Sequence, residues 1–316
     1  MHSDAGSSAN KDVIELAIFD IDGPVTDPQS RRIEQSEILD LMLDFVIERG
    51  YVAYNTGRAS AVAYQRVVSP LLARALARGI NPGIVSRRIA VFAEKGGVTS
   101  FWDDRIGQWN HRIDPAAKVP ADLGHEVVGL LRSDHEFQSY IFRDSDKETM
   151  VSVEMRHETP GPRSAPVTVG VFKPVAERFA AQVRQLARDR GYNDIEVDAT
   201  TIAVDIQRRG VGKDLGTRLA FGWLDGLRQR VARVHCFGDS KSDVAMAVEA
   251  AAIMSRSFAD ARERVVYVHV GEKLPIEGDF AVRSFPGSYW RGTIAYLRSL
   301  SGVAAEGSAD RGPGLP

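Results

Sequence analysis

The chain of 316 residues holds a single cysteine, Cys236, so no internal disulfide can form and a reducing compartment suits it. Cys236 falls within an apolar strand pattern and reads as buried filler rather than as a nucleophile. An excess of one charge is also missing. The formal net charge of −2 gives no bulk attraction to nucleic acid or to anionic membranes, and neither is expected as a partner. The local clusters Arg228-Gln229-Arg230 and Arg87-Arg88 read as solvated faces. No apolar run approaches the length that crosses a bilayer. The polar stretch Met1 to Lys11 lacks the apolar centre of a signal peptide, so a cytoplasmic setting is expected. None of the seven histidines pairs at metal-ligand spacing, which argues against zinc. There is no internal repeat.

What is present is a soluble globular composition, 44% hydrophobic, long enough for one large domain or two ordinary ones. The chain is organised around Ile18-Phe19-Asp20-Ile21-Asp22-Gly23-Pro24-Val25-Thr26. Leu16 to Phe19 is a short uncharged apolar run, the pattern of a strand buried on both faces, and it breaks into two carboxylates followed by Gly-Pro. At the carboxyl end of a central strand, such a pair stands in the crevice where open α/β sheets bind ligands. Two acids this close repel unless a cation lies between them or one keeps its proton. Either arrangement is useful chemically, as a Mg²⁺ site or as a poised acid and base. Taken alone, Asp-x-Asp-Gly reads more readily as a turn in which Asp caps an amide.

The order of elements predicts the fold class. A helix over 33–48, a strand at Tyr51-Val52-Ala53-Tyr54, a helix over 61–77 and a strand over 89–93 give β-α-β-α, hence a parallel sheet with right-handed crossovers. A short hairpin then runs from Gly96-Gly97 toward Phe101-Trp102. A helix over 121–132, strands over 137–142 and 149–155, a helix over 175–190 and strands over 195–198 and 201–206 give αββαββ. That order predicts an antiparallel sheet covered by helices on one face, an α+β domain inserted into the first. The parallel pattern resumes with a helix opened by Gly210-Val211-Gly212-Lys213, a strand over 234–237, a helix opened by Gly238-Asp239-Ser240-Lys241-Ser242-Asp243, a strand over 265–269 and a closing helix over 293–300. The expected division is a disordered tail over 1–11, a Rossmann-like core over 12–113 and 207–300, an inserted domain over 114–206 and a disordered tail over 301–316.

Four junctions of the predicted core sheet carry polar residues: Asp20 with Asp22, Thr56 with Gly57, Lys213, and Asp239 with Asp243. Each has an ordinary alternative, since Thr56 can cap a helix, Lys213 can be solvated, and Asp239 and Asp243 suit a helix start. Together they supply a nucleophile, anion-binding groups, a cation and a second acidic pair. Phosphoryl transfer needs that inventory, because its catalysis is mostly positioning and charge neutralisation.

On these residues the chain resembles the haloacid dehalogenase superfamily of phosphohydrolases. Asp20-Ile21-Asp22-Gly23 is similar to its first motif, Asn55-Thr56-Gly57-Arg58 to its second, Lys213 to its third, and Gly238-Asp239-Ser240-Lys241-Ser242-Asp243 to its fourth. The insertion between the second and third motifs resembles the branch with sucrose-phosphate phosphatase, mannosyl-3-phosphoglycerate phosphatase, archaeal phosphoglycolate phosphatase and phosphomannomutase, where it is a cap over the active site. The resemblance implies that Asp20 attacks phosphorus and becomes an aspartyl phosphate, while Asp22 protonates the leaving oxygen and later deprotonates water. It implies that Thr56 and the Gly57 amide hold phosphoryl oxygens and that Lys213 neutralises charge beside Asp20. Mg²⁺ would be held by Asp20, the backbone carbonyl of Asp22 and Asp239, with Asp243 direct or through water. An anionic nucleophile approaching a phosphate dianion needs such cations.

Pro24 departs from the family, which usually has Thr or Val there; it removes a donor and fixes the turn. Glu94-Lys95-Gly96-Gly97 resembles an Asn-Gly junction of the branch, with Lys95 in place of Asn. Lys95, with Gly57 and Arg58, is a candidate substrate-binding residue that could reach a second anionic group, or it is a surface lysine at a hairpin. Lys147, Glu154, Arg156 and Arg208 are candidates for substrate contact from the insertion. The expected activity is therefore a Mg²⁺-dependent phosphatase acting on a small phosphorylated metabolite, a sugar phosphate by resemblance. A phosphomutase would share every motif. A dinucleotide-dependent oxidoreductase is suggested by Gly210-Val211-Gly212, but Leu215 stands where the third glycine belongs.

Overall fold

A computed structural model describes residues 13–162, 164–200 and 202–301. The tails expected over 1–11 and 301–316 lie outside the described residues, apart from Ser301. The chain opens with β1 (Val13–Phe19), α1 (Glu37–Glu48), β2 (Gly50–Asn55), α2 (Ser60–Ala63), α3 (Ser69–Ala77), α4 (Pro82–Ser86), β3 (Ile89–Ala93), β4 (Val98–Asp103) and β5 (Gln108–Ile113). There follow α5 (Ala121–Ser133), α6 (His135–Tyr140), β6 (Ile141–Asp144), β7 (Val151–Met155), α7 (Val169–Asp189), β8 (Ile195–Ala199) and β9 (Ala203–Arg208). The last stretch is α8 (Lys213–Gly226), β10 (Arg230–Gly238), α9 (Val244–Met254), α10 (Ala261–Arg264), β11 (Val265–His269), β12 (Ala281–Ser284) and α11 (Trp290–Leu300).

The described chain divides into two compact units, one running to Tyr54 and taking in Gln65–Ile89 and the residues from Phe221 onward, the other Asn55–Tyr64 with Ala90–Ala220. In the first, strand order is β12-β11-β10-β1-β2 and each neighbouring pair is parallel. Leu16, Ala17, Ile18 and Phe19 of the central strand are wholly buried, as an uncharged run between two parallel neighbours requires. Phe19 stacks on Phe237 of β10 with ring centroids 4.1 Å apart. The mixed α/β architecture with a large parallel sheet is the one expected.

The second unit contains the antiparallel run β3-β4-β5 and a four-stranded antiparallel sheet in the order β6-β7-β9-β8. One face of that sheet, with Val153, Val204 and Ile206, packs with Leu123, Val127, Phe137, Phe172 and Phe179 from α5, α6 and α7. Because side chains alternate along a strand, the residues between them point the other way. There Ser152, Glu154, Asp205 and Gln207 are buried although polar.

Several local expectations need correction. Residues 137–142 were expected as strand, but α6 occupies His135–Tyr140 and only Ile141–Asp144 is β6. The Asp134 carboxylate accepts from the amides of Glu136 and Phe137, and this cap outweighs the strand preference of the aromatic residues. The order in the insertion is therefore ααββαββ. The helix expected over 61–77 contains a π turn at Tyr64–Val68, immediately ahead of Pro70, which has no N–H for an α-helical bond. Helix α7 begins at Val169 and continues through Pro174, whose missing donor costs a single bond near the helix start. Strands β5 and β12 and helices α4 and α10 have no counterpart in the sequence reading.

Candidate active site

Asp20 stands directly after β1, its amide donating to the Phe237 carbonyl at 2.9 Å. The chain then turns tightly: Gly23 N–H donates to Thr26 O, and the amides of Val25 and Thr26 both donate to Ile21 O. Pro24 falls between these donors, and none of the turn's bonds requires an N–H from it. Asp22 accepts from the Thr26 hydroxyl at 3.3 Å and faces the Arg66 guanidinium at 3.4 Å. Gly23 has φ of 98°, and a Cβ there would lie 2.5 Å from Asp239 Oδ2. Glycine is needed both for the turn and for the approach of Asp239.

Asp239 and Asp243 follow β10. Asp243 Oδ2 accepts from the Ser240 hydroxyl at 2.7 Å, from the Ser240 amide at 3.1 Å and from the Asp239 amide at 3.3 Å, which fixes the carboxylate at the start of the next helix. Carboxylate oxygens of Asp20, Asp239 and Asp243 all lie within 4.8 Å of one another. Burial, and then the charges of Asp243 and Asp239, push the Tyr267 phenol of β11 well above its ordinary value. Three acids gathered this closely repel unless a cation joins them or one keeps its proton, and an all-oxygen donor set of carboxylates suits Mg²⁺. Asp22 is not a member of the cluster through its carboxylate.

In the second unit, the loop after β2 and the start of α8 are tied together. Asn55 Nδ2 donates to Lys213 O at 2.7 Å, and Lys213 Nζ donates to Asn55 O at 2.8 Å. Lys213, the first residue of α8, is 6% exposed, which corrects its reading as a solvated helix lysine. Thr56 is buried, and its Oγ1 accepts from the Arg58 amide at 3.1 Å. Thr56 O accepts from the Lys95 amide at 2.9 Å, and Gly57 O from Lys147 Nζ.

Around that loop stand three cations, each facing a carboxylate. Arg58 meets Glu154 at 2.6 Å, Lys95 meets Asp205 at 3.0 Å, and Lys147 meets Asp144 at 4.0 Å. Lys95 also donates to Gln207 at 2.9 Å. Burial raises the Asp205 carboxyl, but Lys95, Lys147 and the Ser152 hydroxyl outweigh it and hold Asp205 below the usual range. Lys95 is not a surface residue. Lys147 and Glu154 stand in this group, whereas Arg156 bonds Gln138 O and Arg208 bonds Asp194 and Lys118 O elsewhere.

Sequence reasoning missed Asp205, Gln207, Ser152 and above all Glu94. The only available signal was alternation: Ser152, Glu154, Asp205 and Gln207 form a polar face on strands whose other face is apolar. Glu94 (φ 50°) and Lys95 (φ 58°) are consecutive left-handed residues ahead of Gly96. The fully buried Glu94 carboxylate accepts from the amides of Glu148, Thr149 and Met150 and from the Thr149 hydroxyl.

Comparison with family models finds no match, and neither does comparison with curated proteins. Solved structures do match. The C-terminal domain of trehalose-6-phosphate phosphatase from C. albicans aligns with a TM-score of 0.62 at 16% identity, over 92% of this chain and 94% of that one. IMP-nucleotidase from Plasmodium falciparum aligns with a TM-score of 0.56 at 11% identity, over 93% of this chain, which spans 62% of the nucleotidase. A trehalose-6-phosphate phosphatase related protein aligns with a TM-score of 0.51 at 15% identity, over 91% and 97% of the two chains. At such identities the likeness is one of fold, and the chain has the α/β fold of haloacid dehalogenase-type phosphatases.

Proposed function

We propose that this protein is a Mg²⁺-dependent phosphatase that hydrolyses a small phosphorylated metabolite, a sugar phosphate, through an aspartyl phosphate on Asp20. The observation that carries the reading is the gathering of Asp20, Asp239 and Asp243 at the carboxyl ends of β1 and β10, in a fold shared with solved phosphatases. In this reading residues 12–113 and 207–300 are the hydrolase core and 114–206 are its cap.

Asp20 attacks phosphorus, and the bond to the leaving oxygen breaks as Asp22 gives that oxygen a proton. Asp22 then takes a proton from a water that attacks the aspartyl phosphate, which releases inorganic phosphate and restores the Asp20 carboxylate. Thr56 Oγ1, the Gly57 amide and the Lys213 ammonium are assigned to the phosphoryl oxygens by their place in the motif order. Asp20, Asp239 and Asp243, with the Asp22 carbonyl, would hold Mg²⁺. Bound there, the cation offsets the repulsion between carboxylate and phosphate dianion. Arg58 and Lys95 are assigned to the alcohol part of the substrate. No helix among the described residues is long and apolar enough to cross a membrane, and a cytoplasmic setting remains part of the proposal.

The test is phosphate release from a panel of phosphorylated metabolites, with and without Mg²⁺. Release that depends on Mg²⁺ and stops with a chelator is expected. Quantitative isomerisation without phosphate release would make the protein a mutase, and full turnover in excess chelator would overturn the metal assignment.

A further inference from the structure

Each cation beside the Thr56-Gly57 loop already faces a carboxylate. Arg58 faces Glu154, Lys95 faces Asp205, and Lys147 faces Asp144 while also acting on Asp205, with side chains 4% to 15% exposed. The group is contiguous with the loop assigned to the phosphoryl oxygens. Lys95 N–H bonds Thr56 O, Lys147 bonds Gly57 O, and a Cβ on Gly57 would touch Lys95 Cε at 3.7 Å. In the phosphatase reading, the alcohol esterified to a phosphate held there would lie against this group of side chains.

We propose that this alcohol is uncharged and rich in hydroxyl groups, and that Asp205, by holding Lys95, is the residue that excludes substrates with a second anionic group. The inference rests on the phosphatase reading above and deepens it. A second phosphate or a carboxylate needs an available cation. Taking Lys95 from Asp205 would strip a buried carboxylate of the cation that touches it at 3.0 Å and leave the Ser152 hydroxyl, at 2.7 Å, as its neutral donor. A hydroxyl both donates and accepts, so it can bridge an ammonium and a carboxylate without separating them. The position that by sequence offered a second anion site is closed to one by its partner on β9.

The experiment uses the full chain with Mg²⁺ and compares sorbitol 6-phosphate with 6-phosphogluconate, which differ only in a terminal hydroxymethyl against a carboxylate. Each competes with hydrolysis of p-nitrophenyl phosphate, and the ratio of the two inhibition constants is the measurement. In the wild type the polyol should bind at least about tenfold more tightly, the scale of one unfavourable charge contact in a partly buried site. Asp205→Asn keeps the shape and frees Lys95, so the ratio should fall about tenfold. Lys95→Met leaves Asp205 without its cation and should move the ratio the other way, so the test stands if one variant fails to fold. Tighter binding of 6-phosphogluconate by the wild type, or a ratio unchanged in both variants, would overturn the inference with the phosphatase reading intact. Competition by neither compound would also overturn it, and absence of any p-nitrophenyl phosphate hydrolysis would overturn that reading and this one with it.

Discussion

Thr149 is bound twice to Glu94: its amide donates to Glu94 Oε2 at 2.8 Å and its hydroxyl to the same oxygen at 2.7 Å. With the amides of Glu148 and Met150, the buried carboxylate receives four hydrogen bonds from a segment more than fifty residues further along the chain. These bonds hold Glu94 and Lys95 in left-handed conformations that side chains with a Cβ rarely adopt. They also join the two segments that meet the Thr56-Gly57 loop, where the Lys95 amide donates to Thr56 O and the Lys147 ammonium to Gly57 O.

Glu94→Gln should therefore be costly for so small a change. A carboxylate only accepts, whereas the amide must turn an NH₂ toward backbone N–H groups. A loss of about 2 kcal/mol in unfolding free energy is expected by denaturant titration. An unchanged midpoint would show that the four bonds contribute nothing net.

The acidic cluster predicts a metal effect that is independent of catalysis. Mg²⁺ at about a hundredfold above its Kd should stabilise the wild-type fold by about 2.7 kcal/mol. Asp239→Asn removes one of the three converging carboxylates and should abolish most of the Mg²⁺-dependent rise in Tm. A rise of equal size in the variant would place the cation elsewhere.

A third expectation concerns acid. His235 is fully buried, with Nδ1 2.9 Å from the Tyr296 hydroxyl and Nε2 2.9 Å from Glu15. A neutral ring accepting from the phenol and donating to the carboxylate satisfies all three. Burial pulls His235 below its ordinary value of 6.5, against the opposing pull of Glu15. Between the folded and unfolded pKa values the unfolded chain binds more protons, so stability should fall as pH drops below about 6.5. The hydrogen bond from His235 holds Glu15 below 4.5, so its own contribution is present above that pH and is lost further down. The loss from His235 is at most about 1.4 kcal/mol by about pH 5.5. Tm measured across this range should decline in the wild type and less steeply in His235→Gln, and parallel profiles would remove His235 from the account.

Legibility of the sequence followed locality. Leu16 to Phe19 could be read because a strand covered on both faces carries no polar residue, and all four side chains are wholly buried. Gly23 marked its turn because only glycine tolerates both the positive φ and the approach of Asp239. By contrast, β5 has no fully buried residue and carries Gln108, Asn110, His111 and Arg112, a composition too polar to separate from loop. Phe137 and Tyr140 favoured strand, and the deciding cap at Asp134 lay just outside the expected element. Glu94 gave no signal because its partners at 148–150 are distant in sequence, and the pairing of Lys95 with Asp205 joins the turn after β3 to β9, which no local pattern relates. Motif acids could be found in the sequence; the groups that neutralise or clamp cations required the fold.

The central claim is covalent chemistry at Asp20, and pre-steady-state reaction of Asp22→Asn with p-nitrophenyl phosphate tests it most directly. Nitrophenolate leaves without a proton, so the first step should survive, while hydrolysis of the aspartyl phosphate loses its base. The account predicts a burst of about one nitrophenolate per enzyme followed by a stall, with the phosphoryl group trapped on the peptide that contains Asp20. No burst, or a trapped phosphoryl group on any residue other than Asp20, would contradict it.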